Sequence, residues 1–390
     1  MTLPDNVSTS SPERPSGRSF LLDLLKAVGC VLIVLHHLAF YGPMSDLVAQ
    51  HWPMLIDWLS DHARLAVQAF LVCSGYLMAA GFARNANMGA QRLVQLAGKR
   101  YLRLTVPLLA ALSVTVLVSE WIRPDFDHAS LSATPGIGQA LAHVFVLQDL
   151  LGMEALSAGV WYVAIDFQLY LLAMLALWGV SYWAHSHPQR TLDALRLQVF
   201  LVLTLLSLLR WNLNSDMDEY GLYFFGAYGL GWLAWRTRQS RIPAKGWLGL
   251  LTLGLLAWLV DSRLRVFTAW AVALLLATAP QAWLRAGQLR WQMAVGQLAK
   301  ISYSVFLIHF AVSLVLNAWI NHAWPHSLVA NALGMVLALL LSLVAGTILY
   351  RWTERETPSW RQWLLWVGVF MASVVLAMVL AEAGADPRGV

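Results

Sequence analysis

The sequence predicts an all-α, polytopic integral-membrane helix bundle of ten or eleven transmembrane helices. Three observations predict it: an apolar composition, eleven apolar runs near span length, and basic residues concentrated in alternate connecting segments. Of 390 residues, 59% are hydrophobic and 12% charged, about half the charged share of soluble domains. Mean hydropathy is +0.60. A water-soluble fold of this size needs more polar surface than that, so lipid is the solvent that fits. The net charge of +5 does not point to nucleic acid, because the charges lie in short clusters between apolar runs, as topology signals do. Cys30 and Cys73 both lie inside apolar runs and imply no disulfide framework. No metal site is expected.

Residues 1–19 are polar and rich in Ser and Pro, without the basic region and cleavage site of a signal peptide; they are read as a disordered cytoplasmic tail. The membrane domain is expected over 20–382. Residues 383–390 are expected to be a short tail, with no further extracytoplasmic module after it.

A span needs about 20 apolar residues. Candidates lie near 20–41, 63–83, 104–121, 158–184, 197–212, 220–235, 246–260, 266–283, 301–320, 328–350 and 363–382. The fifth to seventh are short. The stretch 138–151, GQALAHVFVLQDLL, is apolar but short and interrupted, which suits a re-entrant or interfacial helix. With the N-terminus inside, nineteen of the 26 Lys and Arg fall in inner segments and four in outer ones. Such a bias sets orientation in an inner (plasma) membrane with a cytoplasmic N-terminus. Counting 138–151 as a span would invert every later loop and destroy it. Acidic residues do the opposite: Asp46, Asp57 and Asp61 fall in the first outer loop, Asp216, Asp218 and Glu219 in the third. Trp121, Trp211, Trp235, Trp319 and Trp352 lie near span ends, where an interfacial belt puts them.

Ionisable residues within spans are costly and usually mark function. The first span reads RSFLLDLLKAVGCVLIVLHHLAFYG, with Asp23, Lys26 and His37. At about 100° per residue, Lys26 and His37 lie within about 20° of each other around the axis and about 16 Å apart in height. Asp23 is three residues before Lys26 on the same stripe, within pairing reach. One face thus carries an acid, a base and an imidazole. Asp23 and Lys26 alone would also suit the cytoplasmic interface, with Lys26 snorkelling, but His37 lies deeper and points to function.

The ninth span opens KISYSVFLIHF, with Ser302, Tyr303 and Ser304, and His309 about two turns further in. Taken alone, His309 fits an interhelical hydrogen bond. The fourth span holds WYVAIDFQLY, where Asp166 suits a cationic partner or the orientation of a histidine. KRYLRLTVP, at 99–107, is a basic patch for topology, anionic lipid or phosphates, which Arg grips bidentately. RWTERETP, at 351–358, carries Glu354 and Glu356 and by itself reads as a solvated turn. These features fit a transporter and an integral-membrane enzyme equally well.

Taken in order, the same elements resemble membrane acyltransferase family three, the bacterial integral-membrane O-acyltransferases of surface polysaccharides. The family's first helix has an Asp, then an Arg and, after ten intervening residues, a His; here Asp23, Lys26 and His37 stand in those places. FLVCSGYL matches its Phe-x-x-Ser-Gly-aromatic-Leu element through Phe70, Ser74, Gly75 and Tyr76. Arg100, Arg103 and Pro107 match R-x-x-R-x-x-x-P. Trp161, Asp166, Gln168 and Tyr170 follow, then Ser302, Tyr303, Ser304, Leu307 and His309 as SYSxxLxH, then Glu356 and Pro358 as Glu-x-Pro. The resemblance covers about residues 20–360. Each motif alone is weak; six in order are fairly specific. Lys26 replaces the usual Arg, and Asp166 the usual Glu. A Lys cannot make the bidentate contact of an Arg, which weakens a phosphate role at 26.

The resemblance implies transfer of an acyl group, acetyl by default, from acyl-CoA (acetyl-CoA) to a hydroxyl of an envelope or exported saccharide, free or lipid-linked. Acyl-CoA is then a substrate, and no cofactor is permanently bound. His37 is the expected base that takes the hydroxyl proton, or a nucleophile that carries the acyl group; Asp23 and Lys26 are expected beside it in the catalytic set. Arg100 and Arg103 are expected to hold the phosphates of coenzyme A. Ser74, Trp161, Asp166, Gln168, Ser302, Tyr303, His309 and Glu356 complete the expected site. A multi-helix transporter or flippase is the alternative, against which stands the lack of paired inverted segments with matching Gly or Pro breaks.

Overall fold

A computed structural model describes residues 19–82, 88–186, 191–240, 242–285 and 287–385. The predicted tail through residue 18 and residues 386–390 lie outside them. All regular structure described is helical: α1 (Phe20–Phe40), α2 (Pro43–Ala49), α3 (Pro53–His62), α4 (Ala66–Phe82), α5 (Ala90–Ile122), α6 (Ile137–Val144) and α7 (Val160–Ser186). There follow α8 (Leu192–Leu209), α9 (Gly221–Gln239), α10 (Pro243–Val260), α11 (Leu264–Thr278), α12 (Arg290–Ala323), α13 (Leu328–Thr353) and α14 (Trp360–Ala385). Ser19 caps α1 by accepting from the Leu22 N–H, and Ser327 caps α13 by accepting from Ala330.

Nine helices among the described residues are long and apolar enough to cross a membrane. Two of the eleven predicted runs, α9 and α11, are not among them. The fifteen residues of α11 reach only about 22 Å, short of a hydrocarbon core of about 30 Å. The helix α9 is rich in glycine and aromatic residues and is buried on nearly every face, packed by α4, α7, α8, α10 and α11. Surrounded by protein, it needs no lipid-compatible surface. At its crossing with α4, a Cβ on Gly75 would collide with the Tyr228 carbonyl and one on Gly231 with that of Val72. Glycine on both helices therefore sets their close approach.

The outer surface is apolar. Leu333, Val336, Leu340 and Val344 form one exposed stripe of α13, and Leu364, Leu365, Val375 and Val379 are exposed on α14. Trp121, Trp319 and Trp352 are more than half exposed at helix ends, as anchors at an interface are. The segment 138–151 does not cross the bundle. It forms the single short helix α6, whose Val144 carbonyl accepts from the Tyr101 hydroxyl at 2.6 Å, and then turns back. Buried His143 holds that turn, with Nδ1 2.8 Å from the Gln139 carbonyl and Nε2 accepting from the Leu156 N–H.

One end of the bundle gathers Arg100, Arg103, Lys300 and the turn after α13; the other gathers the C-terminal end of α1, α2–α3 and the loops around Asp218 and Arg263. The first is the basic end, the second the far end. In α5, Pro107 lies inside the helix. Lacking an N–H, it leaves the Arg103 carbonyl without its helical partner, within the basic cluster.

Candidate active site

Two cavities enter the bundle from opposite ends and meet at a pair of aromatic rings. The basic-end cavity, of about 420 Å³, draws Lys26 from α1, Ser74 from α4, Arg100 and Arg103 from α5, Asp166 from α7, Lys300, Ser302 and Tyr303 from α12, and Glu354 from the turn after α13. The far-end cavity, of about 1100 Å³, is lined by His36 and His37 at the end of α1, Trp161 at the start of α7, and Tyr223, Phe224, Arg263 and Arg265, among others. Tyr162 and Phe306 line both. Their rings meet edge to face with centroids 5.6 Å apart, and they are the septum between the two spaces. Gly159, at φ +85°, starts α7 where a Cβ would lie 2.6 Å from Phe306. No other residue suits both that backbone conformation and that contact.

On the basic side, Asp166 is 3% exposed and holds a cluster of three helices. Its Oδ2 accepts from Arg100 Nη2, and its Oδ1 accepts from Ser74 Oγ at 3.2 Å. The Arg100 guanidinium also lies 5.5 Å from the Tyr170 ring centroid. Arg100 is therefore spent largely on the wall. Arg103 and Lys26 have no carboxylate within ion-pair distance among the described residues. Four cationic side chains face this cavity, Lys26, Arg100, Arg103 and Lys300, against two carboxylates, Asp166 and Glu354. The space is thus suited to a multiply anionic ligand. Tyr303 donates to the Leu104 carbonyl at 2.8 Å and Ser302 to that of Ala299 at 2.9 Å, so both line the cavity while tied to backbone.

Glu356, the expected carboxylate of the late motif, is exposed on the turn. The carboxylate that enters the site is Glu354, which accepts from Ser304 Oγ and whose pKa burial raises to about 7. Gln168 lines neither cavity. Its side chain accepts from Gly221 N–H at 2.8 Å and donates to the Glu219 carbonyl, which pins the start of α9. Asp23 lies in the first turn of α1, where its charge acts on Lys26, but it lines neither cavity.

On the far side, α1 and α12 bring His37 and His309 together. His37 Nδ1 lies 2.7 Å from His309 Nε2, and the rings are within 6° of parallel. His309 Nδ1 is 2.7 Å from the Phe306 carbonyl. A carbonyl only accepts, so His309 carries a proton on Nδ1, and in the neutral ring its Nε2 is then bare. His37 must then donate from Nδ1, which leaves His37 Nε2 as an unprotonated base. His309 is 1% and His37 7% exposed, and His37 lines the far-end cavity. Trp161, on the same cavity, packs against Phe224 with ring centroids 5.7 Å apart. Sequence reasoning missed Tyr162, Phe306 and Glu354 as site residues. Two aromatics within aromatic-rich spans carry no distinguishing pattern, and a glutamate in a charged turn looks solvated until its burial is seen.

The structure thus holds a positioned neutral imidazole, a cationic cavity and a thin aromatic partition, an arrangement suited to moving a group between an anionic donor and a nucleophile that needs a base. No curated protein and no solved structure matches this chain. The acyltransferase domain of acyltransferase family 3 matches residues 21–351. Spanning most of the chain, that match shows that this multi-pass membrane protein belongs to acyltransferase family 3.

Proposed function

We propose that the protein is an O-acyltransferase that moves an acyl group, acetyl by default, from acyl-CoA in the basic-end cavity to a saccharide hydroxyl in the far-end cavity. The observation that carries this reading is the bare His37 Nε2, held by His309 on one side of a two-ring septum with an excess of cationic side chains on the other. The phosphates of coenzyme A would sit against Arg103, Lys26 and Lys300, with Arg100 fixed by Asp166 to shape the wall. The thioester would reach the septum between Tyr162 and Phe306.

Attack needs the hydroxyl oxygen about 3–3.5 Å from the thioester carbonyl carbon. His37 Nε2 takes the hydroxyl proton as the oxygen bonds to that carbon. The C–S bond then breaks, and the same proton passes to the thiolate, giving the ester and free coenzyme A. The far cavity's aromatic wall, Trp161, Tyr223 and Phe224, suits the apolar faces of a sugar. The excess of Lys and Arg in alternate loops supports an orientation with the basic end and N-terminus in the cytoplasm, in the inner (plasma) membrane. Donor and acceptor would then enter from opposite sides. A transporter shares the two cavities but gives no reason for family membership or for a base fixed in one tautomer.

The test is reconstitution of the full chain in nanodiscs with radiolabelled acetyl-CoA and envelope polysaccharide stripped of its esters by mild alkali. Alkali-labile label on the polysaccharide with wild type, and none with His37→Ala, is expected. Label that stays on the donor with wild type would overturn the reading.

A further inference from the structure

The far-end cavity contains a second cationic feature that the transfer chemistry leaves unused. Arg263, on the turn between α10 and α11, and Arg265, in the first turn of α11, both line it and both converge on Asn212. Arg263 Nη1 donates to the Asn212 carbonyl and to its side-chain oxygen. Arg265 Nη2 donates to the same carbonyl at 3.0 Å. Asn212 is itself buried and anchored, its Nδ2 donating to the Tyr223 carbonyl at 2.9 Å. The Arg265 guanidinium lies 4.7 Å from the Tyr223 ring centroid. Two like charges are thus fixed beside each other by a shared acceptor and an aromatic ring, an arrangement that repels unless an anion joins it.

The pairing is incomplete. Asp261 lies 2.9 Å from Arg263 Nε without a hydrogen bond to it, Arg263 Nη2 is also buried without a hydrogen-bond partner, and Arg265 has no carboxylate within ion-pair distance among the described residues. A buried guanidinium donor without an acceptor is costly. The cavity also has Asp61, Glu154 and Asp218 in its lining, but these three are exposed, as is Arg64. Solvent and salt screen such rim charges strongly, whereas Arg263 and Arg265 are half-buried. The inner wall is therefore positive even though the lining as a whole is balanced.

We propose that the far-end cavity takes an anionic saccharide substrate, whose carboxylate or carrier phosphate is gripped by Arg263 and Arg265 while its acceptor hydroxyl faces His37. This rests on the reading of that cavity as the acceptor site. Arg presents donors in a planar fork that matches carboxylate and phosphate oxygens. Asn212 holds the two forks in place before a ligand arrives, so little side-chain entropy is lost on binding.

The test uses the full chain in nanodiscs and three probes: a glucuronate tetramer, the glucose tetramer made by reducing its carboxyls, and glucose on a polyprenyl pyrophosphate. Wild type is expected to bind a charged probe at least roughly tenfold more tightly than the glucose tetramer, the gain of a charge-assisted hydrogen bond. Arg265→Gln is expected to remove most of that preference and Arg265→Lys to keep part of it. Preference for the uronate places the charge on the sugar; preference for the pyrophosphate places it on the carrier. Equal binding of all three probes to wild type, or a preference that survives Arg265→Gln, overturns the inference. Where Arg265→Gln does not yield folded protein, Arg265→Lys and the salt dependence of wild-type binding decide it, a salt-insensitive preference being fatal. Radiolabelled acetyl-CoA given to the same samples separates the two readings. Charge-dependent binding without ester formation sinks the transfer reading alone; ester formation with charge-blind binding sinks this inference alone.

Discussion

Replacing His309 tests whether it acts on the chemistry through His37. His309→Phe fills nearly the same volume but removes the Nε2 acceptor 2.7 Å from His37 Nδ1 and the Nδ1 donor to Phe306. The His37 Nδ1–H, buried at this site, then has no partner, which costs about 1–3 kcal/mol. The imidazole can escape that cost by moving its proton to Nε2 or by turning away, and either removes the base. If the whole loss falls on the transition state, kcat drops about five- to 160-fold. The Michaelis constants should change little, because His309 lines neither cavity. His309→Gln, whose amide oxygen can accept from His37 Nδ1–H, should recover a substantial part of kcat. The assay is coenzyme A release by the reconstituted protein at saturating donor and acceptor. Full kcat in His309→Phe, or no difference between the Phe and Gln variants in a folded background, would refute the positioning role.

Three further expectations come from the basic end and the loops. Asp166→Asn keeps an acceptor for Ser74 but unpairs Arg100; because Arg100 is 28% exposed, the loss of stability should fall near the low end for a broken buried pair, about 3 kcal/mol, read as a lower thermal aggregation midpoint. The Glu354 carboxyl, with its pKa raised to about 7, is neutral below that value and adds a negative charge to the donor cavity above it, so the donor KM should rise with pH through about 7 and Glu354→Gln should flatten that profile. The same raised pKa means that stability from Glu354 is present below the ordinary value of 4.5 and lost as pH rises through 7. His143 runs the other way: burial lowers its pKa from 6.5 to about 4, so its contribution is present above 6.5 and lost as pH falls from 6.5 towards 4. Limited proteolysis of the 137–159 loop across that range should show the loss, and His143→Phe should abolish its pH dependence.

The parts legible in the sequence are those where the bilayer imposes a rule. Apolar runs and alternating basic loops gave the helical membrane class, and His37 stood out because an imidazole deep in a span is costly. The helix α9 was harder to place as buried, because glycine and aromatic residues packed on every side lack the periodicity of a half-buried helix. Gln168 entered the expected site through its place in the family motif, yet it ties α7 to the start of α9. Two glutamates two residues apart in one charged turn were indistinguishable by spacing, and only the fold shows that Glu354 rather than Glu356 points inward. Arg263 and Arg265 counted only as outer-loop charges, since nothing local predicts that Asn212, some fifty residues away, gathers them.

The most direct test of transfer at His37 is the amount of ester-linked acyl group on surface glycans of cells carrying wild type, His37→Ala or no gene. Wild type alone should restore the ester, with His37→Ala matching the deletion at equal membrane expression. Equal ester in all three strains would contradict the acyltransferase assignment to these glycans, and ester restored by His37→Ala would contradict the role given to this imidazole.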